Sequence, residues 1–160
     1  MSNLERKVDC LIRGFLAQDD AQFEDARQEL VRLMGDTQQV RKHYRDRIEE
    51  ILTDMGMRDK LIGRRYTEEA IALKLEKWDI RIWKGIYMTV AEKFGTTPNR
   101  VERGIRHAID TMYDQVEPEI LHKYFGNSVG ALSGRPTNAE LIARLAAIIR
   151  KKMEEEAVYA

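Results

Sequence analysis

The sequence predicts an all-α fold: a multi-helix bundle containing a helix-turn-helix, preceded by an N-terminal helical hairpin. Three observations carry this expectation. Apolar residues recur at helical spacing in nearly every segment, and no stretch shows the alternation of a half-buried strand. Gly95-Thr96-Thr97-Pro98 separates two such segments as a tight turn between helices does. Thr137-Asn138-Ala139-Glu140 is a capping box placed directly before another apolar-periodic run.

The bulk composition sets outer bounds. With 160 residues, 43% hydrophobic and 34% charged, the chain fits one domain, or one domain with a small appendage, and has enough apolar residues for a core. The net charge is zero, which argues against indiscriminate attraction to nucleic acid and leaves local clustering to decide. No apolar run approaches the ~20 residues that span a bilayer, so no membrane partner and a cytoplasmic location are expected. The single cysteine, Cys10, excludes an intrachain disulfide and a cysteine-cluster metal site.

Taken in order, Leu4, Val8, Leu11, Ile12 and Phe15 form a first amphipathic stripe over residues 4–18. Asp19-Asp20 breaks and caps, and Phe23, Ala26, Leu30, Leu33 and Met34 form a second stripe that ends at Gly35. Residues 1–36 thus read as a hairpin that packs on the rest of the chain or pairs with another copy, since two helices alone bury too little. Residues 37–160 form the second part. A helix is expected from about Thr37 to Met55, stopped by Gly56, and another from Thr67 to about Trp78, with Glu68 and Glu69 at its positive end. The stretch 80–87 is ambiguous, with a helix start near Ile82. After the helix-turn-helix, a short helix runs from Pro118 to Phe125. Gly126-Asn127-Ser128, Gly130 and Gly134 mark a loop, and Leu141, Ile142, Leu145, Ile148 and Ile149 line the last helix.

The helix-turn-helix spans about residues 87–110. Ala91 is the small residue at the helix contact, Gly95 accommodates the turn, and Phe94 plugs the angle. Thr97 caps the second helix and Pro98 suits its first position. Val101, Ile105, Ala108, Ile109 and Met112 should face the core, with Gly104 permitting close approach to the first helix of the pair. The opposite face of this recognition helix, about residues 98–112, carries Asn99, Arg103, Arg106 and Asp110, flanked by Glu102 and His107. These side chains suit the major groove of double-stranded DNA. Arg103 is the candidate reader of guanine, Glu102 of a cytosine amino group, and Arg106 of a base or phosphate, while Arg100 and His107 suit backbone contacts. No Ser/His/Asp set, phosphate loop or paired-carboxylate cleft stands out, and His43, His107 and His122 lack ligand spacing. No catalysis, metal or cofactor is expected.

Phe94, Thr96-Thr97, Arg100-Val101-Glu102-Arg103 and Ile105-Arg106-His107-Ala108-Ile109 closely resemble the DNA-binding effector domain of the stage-zero sporulation protein A family. The similarity extends through Gly56, Gly63, Glu69-Ala70-Ile71, Tyr124-Phe125-Gly126 and Pro136 to Glu140, covering about residues 40–152. The resemblance implies a six-helix domain acting in sporulation-type transcription control. It assigns Arg100, Glu102, Arg103, Arg106 and His107 to DNA, and RNA polymerase sigma subunits as partners. The hairpin stands where family members carry a phosphoacceptor receiver, so control by aspartyl phosphorylation is not expected. The competing reading is a protein-interaction module that binds sigma factor or a related regulator without reading DNA itself.

Overall fold

The computed structural model describes residues 2–126 and 134–159, and every regular element among them is helical. The order is α1 (Asn3–Phe15), α2 (Asp20–Asp54), α3 (Ile62–Glu76), a π-helical stretch (Ile82–Tyr87), α4 (Met88–Phe94), α5 (Pro98–Tyr113), α6 (Pro118–Phe125) and α7 (Asn138–Tyr159). The chain divides into two compact units, residues 1–43 and 44–160.

In the first unit, a capping box opens α1: the Ser2 hydroxyl accepts from the Glu5 amide, and the Glu5 carboxylate accepts from the Ser2 amide. Asp19 receives the Gln22 amide at 2.8 Å, as expected of a cap for α2. The expected helix end at Gly35 does not occur; α2 runs through it. A glycine inside a helix costs only ~1 kcal/mol relative to alanine, too little to break it unaided. Thr37 does not cap a new helix either. Its hydroxyl donates to the Leu33 carbonyl one turn back (2.8 Å) and accepts from Lys7 (2.7 Å), tying α2 to α1.

The second unit holds the main core. The last turns of α2 supply Ile48, Ile51 and Leu52 to it, and Met55 follows directly after the helix. Gly56, at φ +79°, ends the helix: its amide bonds to Thr53 and the Met57 amide reaches back to Leu52, the pairing of a Schellman stop. Helix α3 begins at Ile62, five residues before the expected start at Thr67. Thr67 is buried inside it, its hydroxyl donating to the Gly63 carbonyl at 2.7 Å. Arg64, only 4% exposed, explains the early start. Its guanidinium donates to the Met57 carbonyl (2.6 Å), the Thr53 hydroxyl (2.9 Å) and Glu68 (2.8 Å), binding α3 to the end of α2.

The ambiguous stretch is π-helical and runs directly into α4. At α7 the capping box forms as expected, the Thr137 hydroxyl accepting from the Glu140 amide and the Glu140 carboxylate from the Thr137 amide. Leu141, Ile142, Leu145 and Ile149 of α7 are buried. The expected loop residues Asn127, Ser128 and Gly130 lie outside the described residues. No helix among the described residues is long and apolar enough to cross a membrane.

Candidate nucleic-acid interface

The turn between α4 and α5 forms from the residues that the pattern singled out. Gly95 takes the left-handed conformation (φ 61°, ψ 41°), and the Thr96 amide reaches back to the Ala91 carbonyl at 2.9 Å. The Thr97 side chain accepts from the Arg100 amide, with Pro98 in the first helical turn. Val101, Ile105, Ala108, Ile109 and Met112 are all buried, which fixes the rotation of α5 about its axis.

One packing detail differs. Gly104 makes room for α3 and not for α4. A Cβ on Gly63 would stand 1.9 Å from the Gly104 carbonyl oxygen, and a Cβ on Gly104 would stand 2.9 Å from the Tyr66 ring. The backbones of α3 and α5 therefore cross with no side chain between them. Tyr66 continues this contact by meeting the Phe94 ring edge-on at 5.1 Å, so α3 also braces the turn. Phe94 thus plugs against Tyr66, and the exposed Arg65 guanidinium lies over the same ring, 5.3 Å from its centre.

With that rotation, Asn99, Arg100, Arg103 and His107 share the exposed side of α5. Among the described residues, none of these four side chains takes a hydrogen-bonding or ionic partner. Glu102 lies half-buried at the edge of this face. Arg106 is placed differently. Its guanidinium donates to Asp110 (2.8 Å) and to the Pro136 carbonyl (2.9 Å), clasping α5 to the segment ahead of α7. Beside Arg106, the Asp110 carboxyl is held below its usual range, mainly by that hydrogen bond. Two further side chains complete the clasp. Arg135 pairs with Asp110 and Asp114, and the buried Asn138 amide donates to the Glu102 carbonyl and to the Tyr87 hydroxyl, each at 3.0 Å.

Several other cations of the second unit are engaged within the fold. Lys93 of α4 and Arg45 of α2 both engage Glu69, at 2.6 and 3.1 Å. Arg144 donates to the Tyr124 carbonyl, and Arg150 pairs with Glu154 and covers the Trp78 ring. The i,i+4 spacing of Arg106 and Asp110 was a readable signal for an ion pair. Arg65 was missed because the expected helix began two residues after it. The family described as Sporulation initiation factor Spo0A C terminal matches residues 48–149, which run from the closing turns of α2 to the middle of α7 and include the whole reading head. The chain belongs to this sporulation family of all-α, DNA-binding domains that act in transcription regulation.

Proposed function

We propose that the chain is a sequence-specific DNA reader that places the first two turns of α5 in the major groove, in sporulation-type gene control. One observation carries the reading: in a chain of zero net charge, Arg100 and Arg103 stay exposed and unengaged on one face while their neighbours are tied into the fold. Arg103 donates its two parallel N–H groups to guanine O6 and N7, and Asn99 reaches a base edge from the first turn. Glu102 accepts from a cytosine amino group at the rim. Arg100 and His107 hold phosphates, and Arg65, above Phe94, adds a phosphate contact next to the turn. Arg106 acts as the clasp that keeps α5 at its depth and extends to phosphate only at the cost of its pairing with Asp110. The helices α1 and α2 that make up most of residues 2–43 support reading this unit as other than a strand-built phosphoacceptor domain, and control by aspartyl phosphorylation is not part of the proposal.

The test begins with selection of bound sequences from a random duplex pool, followed by titration at two salt concentrations. Arg103→Ala is expected to lose roughly tenfold to hundredfold in preference for the selected guanine, the equivalent of ~1–3 kcal/mol, with the fold intact. Arg100→Ala should instead weaken every duplex alike and lower the salt slope by about one. An Arg103→Ala protein that kept the parent's preference would sink the assignment of the reader. Duplex binding indifferent to salt would point to the interaction-module reading instead.

A further inference from the structure

Among its described residues, the unit of residues 1–43 buries only Cys10, Ala26 and Leu33. Ten of its large apolar side chains are 44–90% exposed, with Leu4, Leu11, Phe15 and Leu16 the most open, at 58–90%. An open groove of about 410 Å³ lies between Leu11 and Phe15 on α1 and Phe23 and Leu30 on α2. From these observations we propose that residues 1–43 are a self-association unit, which pairs with the same hairpin of a second copy to close a four-helix bundle.

The spacing argues for helical neighbours. Leu4, Val8, Leu11 and Phe15 recur at intervals of four, three and four. Phe23, Ala26, Leu30, Leu33, Thr37 and Val40 recur at three and four in alternation. This 3.5-residue repeat makes a straight seam along each helix, the pattern that packs helices side by side at shallow angles. A two-helix hairpin leaves half of such a bundle core unfilled, and two hairpins complete it.

Area and charge select the occupant. Six of the ten exposed side chains, Leu4, Val8, Leu11, Phe15, Phe23 and Val40, lie on these seams, with Ile12, Leu16 and Met34 beside them, an apolar face on the scale of the ~800 Å² that each partner gives to a stable interface. Among the described residues of the second unit, the large apolar side chains that stand exposed are Ile62, Trp78, Trp83 and Met88, which form no face of matching extent. The hairpin holds seven basic and eight acidic residues. Arg6 and Arg32 pair with Glu29, Arg13 with Asp9, and Arg27 with Glu24. A strongly acidic or basic partner gains nothing from such a rim, whereas an identical copy meets no repulsion and brings the same seam.

The proposal stands apart from DNA reading and is tested without DNA, by sedimentation equilibrium of the full chain from 1 to ~100 μM. The expected species is a dimer, twice the 18.7 kDa of one chain. Leu11→Glu combined with Phe15→Glu should raise the dissociation constant at least about a hundredfold while helical circular dichroism is retained. Phe15→Lys alone, at a position 90% exposed and so free of packing to lose within one chain, should act in the same direction. Gln39→Glu, an exposed position off both seams, should leave the dimer unchanged. A parent chain that stays monomeric at ~100 μM overturns the proposal. So does a folded double-glutamate variant as dimeric as the parent.

Discussion

Gly63→Ala is expected to cost about 3 kcal/mol or more, although alanine is the better helix former by ~1 kcal/mol. The added methyl would lie 1.9 Å from the Gly104 carbonyl oxygen, 2.7 Å from its carbonyl carbon and 2.9 Å from the Ala108 Cβ. The first two of these are backbone atoms, so no rotamer change relieves the overlap. The α3 and α5 axes must separate instead, and Val101, Ile105 and Ala108 would be drawn away from the core with α5. For a domain of this size the melting temperature should fall by roughly 6–12 °C, read by thermal unfolding followed at helical ellipticity. An unchanged or raised melting temperature would mean that the backbones do not cross this closely. The same variant should also bind duplex DNA more weakly below its melting temperature, because α5 carries the reading face.

The second large effect is expected at Arg64. Arg64→Met keeps most of the aliphatic volume but removes every donor, leaving the carbonyl of buried Met57 without its charged partner and the exposed Thr53 hydroxyl to water. Its carboxylate partners soften the loss: Asp59 is 85% exposed and Glu68 32% exposed, so both recover hydration. The expected cost is therefore about 2–3 kcal/mol, below the ~3–5 kcal/mol typical of breaking a fully buried pair. Arg64→Lys should restore only part of it, because one ammonium cannot reach Met57, Thr53 and Glu68 as the forked guanidinium does. Urea unfolding midpoints of the three proteins decide the matter. Equal stability of Arg64→Lys and the parent would show that charge alone suffices.

The reading head was legible because its signals are local. Gly95, Thr97 and Pro98 each satisfy a backbone requirement within four residues of themselves, and the buried set from Val101 to Met112 follows from the helical repeat alone. The same holds for Thr137 and Glu140. What stayed hidden depends on partners distant in sequence. Gly35 resembles a stop, yet the helix around it is held by the link from Lys7 to Thr37. Thr67 resembles a cap, yet Arg64 anchors α3 a turn earlier against residues 7 to 15 positions upstream. Gly104 was recognised as a packing glycine, but periodicity names a face and not the helix that fills it. Arg106 falls on the outer side of α5 by its angle, while the Pro136 carbonyl, 30 residues away, draws its guanidinium inward.

The contact of Tyr66 with Gly104 bears on how this sequence can vary. The ring occupies the volume that a side chain at position 104 would need, and it is itself backed by Phe94. Residue size at 66 and at 104 is therefore a shared quantity, and related chains with a larger residue at 104 should carry a smaller one than tyrosine at 66. Position 63 has no such exchange, because the two nearest atoms it faces belong to main chain, which no substitution can shrink. Two glycines in one crossing thus follow different rules: one can drift with a compensating neighbour, and the other stays glycine for as long as the crossing keeps its distance.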